Sequence, residues 1–262
     1  MMHVWLASYP KSGNTWVRFL LYQYYFGEAA ASDQVSAEIP DIHAPGQYNT
    51  VSGAAMAAGK TRLIVKTHQL FTGRMHRGKM IYVVRHPRDV ILSMMNFVRL
   101  VSNEKPSRGL TDEQFIRMFI QKGHNPLNLQ ADNGTIEQHW KSWLDQAQAP
   151  GIVVRYEDLK KDAMTELRRM IESLGETFDE AKGRRAVELS TFDRMRALEV
   201  KEKTTGAHTT VFAGAGTKVK EGLLFMNKGK SGRSLDAYAK GLDALCEAGF
   251  KETLEKFGYA RA

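Results

Sequence analysis

His3 to Phe26 reads HVWLASYPKSGNTWVRFLLYQYYF, and its pattern predicts a buried strand, a tight loop and a helix. Val4, Trp5, Leu6 and Ala7 make a short apolar run, Tyr9-Pro10 breaks it, and Trp16, Phe19, Leu20 and Tyr24 recur at helical spacing. The chain therefore turns at Lys11-Ser12-Gly13-Asn14. A helix that starts there points its first unpaired N–H groups and the positive end of its dipole back toward the strand's carboxyl end, and Gly13 removes the side chain that blocks close approach. This is a seat for a phosphate, with Lys11 and the hydroxyls of Ser12 and Thr15 as further donors. Any strand-to-helix connection favours the same small residues, so the piece alone leaves an ordinary turn and a phosphate loop both open. It is not a Walker A loop, because the lysine precedes the glycine and the first glycine of that pattern is missing. A loop this short holds one phosphate group rather than wrapping a chain of them.

Two more strands end near the same place. Arg62-Leu63-Ile64-Val65-Lys66-Thr67-His68 is an apolar run with a polar end, and strand alternation puts Lys66 and His68 on one side and Thr67 on the other. A cation and a titratable base thus sit together, where open parallel sheets bind ligands beyond the strands' carboxyl ends. Met80 to Val84 runs into Arg85-His86-Pro87-Arg88-Asp89-Val90, with Pro87 and Asp89 marking a helix that continues through Arg99. Arg85 stands at the strand's end, where it can face an anion, and Ser93 is two turns into the helix. Kinases and hydrolases that use Mg²⁺ present an Asp at a neighbouring strand end. Here the strand ends carry Lys66, His68 and Arg85 instead, which favours metal-free recognition of an anionic nucleotide.

The remaining pattern fits one α/β domain over residues 1–262. Gly27 to Lys60 reads as a long surface excursion with at most short helices, containing Asp41 and His43. Helical stripes follow in Thr111–Ala149, interrupted by a loop from Gly123 to Gly134. A fourth strand covers Ile152 to Arg155, and amphipathic helices cover Asp162–Leu174 and Asp179–Leu189. Lys201 to Arg233, rich in Gly, Lys and Thr, reads as a mobile lid within 201–235, and Leu235 to Phe257 closes the chain with one or two helices. The 37 Lys and Arg against 29 Asp and Glu give a net charge of +8, which suits an anionic ligand. One cysteine, Cys246, excludes an intrachain disulfide and every zinc-finger spacing, and no basic stripe with interleaved aromatics points to nucleic acid. With no apolar run of membrane-spanning length, the reading is a soluble cytoplasmic protein.

Four segments carry a family resemblance that spans most of the chain. SYPKSGNTW resembles the 5′-phosphosulfate loop of sulfotransferases that use 3′-phosphoadenosine-5′-phosphosulfate (PAPS), LIVKTH their strand bearing the general base, and RHPRDVILS the signature whose leading Arg and closing Ser bind the 3′-phosphate. Lys228, Gly229 and Gly232 match their late glycine-rich signature, although Asn227 stands where the family has Arg and no Trp follows Gly232, which leaves Lys230 or Arg233 to supply the charge. The resemblance implies a three-layer P-loop-like α/β fold with a mainly parallel sheet. It implies sulfuryl transfer from PAPS to a hydroxyl of a small-molecule or natural-product acceptor, with release of the bisphosphate PAP and no metal. His68 is then the base, with Lys11 and Lys66 opposing charge at the transferred group. The donor lies on Lys11, Ser12, Gly13, Asn14, Thr15 and Trp16, with Arg85, Ser93, Lys228 and Gly229 at its 3′-phosphate and Tyr156, from VVRYEDL, at the adenine. Phe192 contacts the base or anchors the core, and Trp16 stacks on adenine or belongs to the core. The other readings are a Mg/ATP kinase or hydrolase and a non-catalytic nucleotide binder. Acceptor identity and oligomeric state stay open.

Overall fold

The computed structural model describes residues 2–43, 45–72, 78–101, 109–127, 131–146, 150–206, 211–212 and 222–259. Strand β1 (Met2–Ser8) leads through the predicted turn into helix α1 (Asn14–Phe26). Strands β2 (Arg62–Thr67), β3 (Gly78–Val84) and β4 (Gly151–Arg155) complete a four-stranded sheet in the order β2-β1-β3-β4, in which every pairing is parallel. Because β1 lies between β2 and β3, the connection leaving β1 runs toward β2 and the one leaving β3 runs toward β4, in opposite directions. Such a switch in strand order makes a crevice at the carboxyl ends.

Alternation along β1 builds both faces. Val4 and Leu6 join one apolar cluster with Phe19 and Leu20 of α1, while Trp5 and Ala7 join the other with Tyr82 and Trp143. The first face is covered by α1 and by α8 (Ala163–Ser173), behind the short α7 (Tyr156–Lys161), with α9 (Glu180–Leu189) packed on α1. The second is covered by α4 (Pro87–Val101), α5 (Asp112–Lys122), α6 (Ile136–Lys141), α11 (Leu242–Gly249) and α12 (Lys251–Lys256). This is the expected three-layer α/β fold. Its strands are apolar on both sides because no face meets water.

Two segments differ from expectation. The excursion after α1 contains α2 (Ser32–Glu38) and the thirteen-residue α3 (Pro45–Ala57), a longer helix than the Ala-, Ser- and Gly-rich composition of Gly27 to Lys60 predicts. The expected lid begins inside a helix: α10 (Phe192–Thr205) includes Lys201 to Thr205. Of the rest of that lid, 207–210 and 213–221 lie outside the described residues. Its last part is tied down. Glu199 of α10 accepts the N–H groups of Phe225 (2.6 Å) and Met226 (2.7 Å), Arg196 donates to the Met226 carbonyl (2.7 Å), Asn96 holds Leu224, and Asp89 accepts from the Gly232 N–H. Glu199 is fully buried and paired with Lys203, so its charge is compensated where it grips the main chain.

Candidate active site

A cavity of about 880 Å³ opens at the carboxyl ends of the strands, and all the predicted site residues except Ser12 line it. Ser12 is 2 % exposed, and its N–H is bonded to the Tyr9 carbonyl. Asn14 lines the cavity, but its side chain donates to the Leu6 carbonyl (3.0 Å) and to the Ser8 hydroxyl (3.2 Å), stapling α1 to β1. Trp16 N–H is bonded to the Gly13 carbonyl. The amides of Gly13, Asn14 and Thr15, which have no carbonyl partner among the described hydrogen bonds, are the loop's main-chain donors for an anion.

Gly13 is required for two reasons. Its φ of 107° lies in the left-handed region, and a Cβ there falls 2.5 Å from the Tyr156 ring. That ring packs over Gly13, lies edge-on to Trp16, and carries the Arg85 guanidinium 4.2 Å from its centroid. Lys11 is also left-handed, with φ 71°, and its ammonium sits 3.7 Å from the Phe225 ring centroid and 4.5 Å from that of Phe97. Burial, followed by repulsion from Arg85, lowers its pKa to about 7.

At the end of β2, Lys66 and His68 both line the cavity while Thr67 is buried, as alternation predicts. His68 Nδ1 lies 2.8 Å from the Ser8 carbonyl oxygen. A carbonyl only accepts, so Nδ1 carries the hydrogen and Nε2 keeps a lone pair. Burial first, and then the Lys66 cation, hold the ring's pKa well below its ordinary value, which keeps it neutral near pH 7. A second buried histidine backs it: His139 Nε2 donates to the His68 carbonyl (3.0 Å), and its Nδ1 accepts from the Tyr82 hydroxyl (2.8 Å). Lys66 is paired with Asp41, Oδ2 to Nζ 2.6 Å.

The remaining wall gathers cations. Arg85 donates to the Lys230 carbonyl (3.0 Å), and Lys160 of α7 donates to the Gly229 carbonyl (2.8 Å). Gly229 allows this loop to close on Phe192, since a Cβ there falls 2.7 Å from that ring. Ser93, Lys228 and Arg233 line the same wall. Arg85 Nε and Arg233 Nε are buried with no hydrogen-bond partner among the described residues. Asp41 is the sole carboxylate among the described residues that line the cavity.

Sequence reasoning missed Asp41, His139, Lys160 and the Glu199–Arg196 grip. Each acts on a residue far along the chain, and none belongs to a local motif.

A family model described as "Sulfotransferase domain" matches residues 2–252. Sulfotransferase 1E1 of Homo sapiens is 29% identical over 201 residues, 73% of this chain and 65% of that protein, so the match spans just under two thirds of that relative's length. Mouse sulfotransferase SULT7A1 complexed with PAP superposes with a TM-score of 0.67 at 19% identity, covering 96% of this chain and 84% of the other. Retinol dehydratase in a complex with retinol and PAP gives 0.66 at 21%, covering 97% and 81%. These two likenesses establish the shared fold.

Proposed function

The chain belongs to the sulfotransferase family, and from that premise we propose that it moves a sulfuryl group from PAPS to the hydroxyl of a small-molecule acceptor. One observation carries the reading: a single cavity joins the β1–α1 loop, the Lys11 and Lys66 cations and the neutral His68 to a second seat that adjoins it, formed by Arg85, Lys228 and Arg233. A donor with phosphates on both the 3′ and the 5′ oxygen of its ribose needs two such seats. A nucleotide with one phosphate chain needs only the first.

The residues divide the work by chemistry. A neutral hydroxyl attacks sulfur poorly, so its proton is taken as the new S–O bond forms, and His68 Nε2 is the lone pair available for it. As the S–O bond to the 5′-phosphate breaks, charge grows on the bridging oxygen and the departing PAP. Lys11, Lys66 and the amides of Gly13, Asn14 and Thr15 oppose that charge. Thr15 adds a hydroxyl at the 5′-phosphate, Tyr156, Trp16 and Phe192 flank the adenine, and Arg85, Ser93, Lys228 and the Gly229 turn hold the 3′-phosphate.

Arg233 takes the place of the cation missing at Asn227. Lys230 is the weaker candidate, since its side chain is exposed and its carbonyl already serves Arg85. Arg233→Ala is expected to weaken PAP by about tenfold or more, the cost of a lost hydrogen bond to a charged group, and to leave adenosine 5′-phosphate within about threefold. Calorimetric titration with both nucleotides checks this. An equal loss for the two places Arg233 elsewhere.

The reading itself is tested by titrating the protein with PAP, adenosine 5′-phosphate, Mg-ATP and an oligonucleotide, then incubating it with labelled PAPS and a panel of hydroxyl acceptors. PAP is expected to bind most tightly and label to reach an acceptor. Mg-ATP binding as tightly as PAP supports a kinase or hydrolase instead and overturns the proposal.

A further inference from the structure

We propose that Asp41 is a positioning residue for the transfer step, holding the Lys66 ammonium in place and charged beside His68. The inference rests on the sulfuryl-transfer reading and adds a residue that no local motif contains. Its basis is a strap, residues 40–43, that runs alongside the end of β2. Lys66 N–H donates to the Pro40 carbonyl (2.9 Å) and Ile42 N–H to the Lys66 carbonyl (3.0 Å), a parallel bridge that sets Asp41 beside Lys66. Their side chains then meet in the cavity at 2.6 Å.

The strap is itself held at both ends. Arg18 of α1 donates from Nε to the Ile39 carbonyl (2.8 Å) and from Nη2 to the Ser36 hydroxyl (3.2 Å). At the far end the His43 N–H donates to Asp41 Oδ1 (3.0 Å), and His43 Nε2 accepts from the His68 N–H (3.2 Å). One short segment therefore reaches both groups placed at the transferred sulfuryl: the Lys66 side chain through Asp41, and the His68 main chain through His43.

The charge balance explains why the carboxylate is needed. Lys66 is largely buried, with a side chain 12 % exposed, and the charged groups facing it are Arg18 from α1, Lys11 from the β1–α1 loop and Asp41 from the strap, with the rings of His43 and His68 close by. Two of the three charges are like its own. Burial lowers its pKa and Asp41 is the main influence restoring it. Without Asp41 the ammonium faces only cations and neutral rings, and it gives up its proton more readily. Asp41 itself is held ionised, despite its burial, by Lys66, by the His43 N–H and by Arg18.

The test is the pH dependence of kcat with donor saturating, which reports groups in the loaded enzyme. Relative to wild type, Asp41→Asn is expected to move the alkaline limb down by about one pH unit or more and to cut kcat by about tenfold at pH values above the wild-type limb, with PAP affinity within about threefold and the melting temperature within a few degrees. Asp41→Glu is expected to return the limb most of the way. A structural role alone changes stability or KM and leaves the limb where it was. Wild-type protein that transfers label from PAPS while Asp41→Asn keeps the wild-type limb, or turns over faster, overturns this inference and spares the sulfotransferase reading. Wild-type protein that transfers no label to any acceptor overturns both.

Discussion

His68→Ala is expected to lower single-turnover sulfuryl transfer by about 10²- to 10⁴-fold, the range a positioned general base supplies, while leaving the PAP dissociation constant within about threefold. The two effects separate because of where the ring sits. Its Nδ1 hydrogen is spent on the Ser8 carbonyl, so the only function the cavity can draw on is the Nε2 lone pair. The main-chain links survive truncation: His139 still bonds the residue 68 carbonyl and His43 still accepts its N–H. What is lost structurally are the Nδ1 contacts to Ser8, its carbonyl at 2.8 Å and its hydroxyl at 3.2 Å, on the order of 1–2 kcal/mol of stability. His68→Asn is the sharper companion, because its amide nitrogen stands where Nδ1 stood and can still donate to Ser8, but it has no basic lone pair. Both variants are expected to be equally inactive. If either keeps more than about a tenth of wild-type turnover, the proton goes elsewhere and His68 is not the base.

The depth at which the site could be read follows from the range of the interactions. The β1–α1 turn was legible because strand, turn and helix signals fall within two dozen consecutive residues, and Gly13 is demanded locally by its φ and by the Tyr156 ring above it. Lys66, His68 and Arg85 were legible for the same reason, each ending an apolar strand whose alternation fixes its side. Asp41 was not. Its meaning lies in a bridge to a strand twenty-five residues later, and Asp41-Ile42-His43 has no periodicity to mark it. Helix α3 was hidden by its composition, with no apolar stripe to announce it, so it is set by its surroundings more than by propensity. The tether on Phe225 and Met226 was hidden differently: Glu199 belongs to no motif, and it is fully buried because Lys203 and two main-chain N–H groups satisfy it.

Lys11→Met is expected to remove a proton-linked part of donor binding and to lower kcat by about 10²- to 10³-fold, the scale of one lost donor to a developing anion. The linkage follows from the sign of the shift. A lysine lowered to about 7 is charged below that pH and increasingly neutral above it. PAP binds the charged form better, so on the acid side the ammonium is already present and binding takes up no proton at this site. On the alkaline side binding must draw a proton in, with uptake rising toward one, and affinity falls by up to about tenfold per pH unit. Between about pH 7.5 and 9 the ligand's phosphates have already lost their second protons, and His68 is neutral throughout, so neither supplies the effect. Calorimetry of PAP binding in buffers of different ionisation heat measures the uptake directly. Wild type is expected to approach one proton at about pH 8.5 and Lys11→Met to fall near zero, with methionine filling the space between Phe97 and Phe225 that the lysine stem occupies. Wild-type uptake near zero at that pH, or equal uptake in the two proteins, means that the lysine is charged throughout or that the proton is taken up by another group. Either result removes Lys11 as the site where the empty cavity and the bound anion differ in charge.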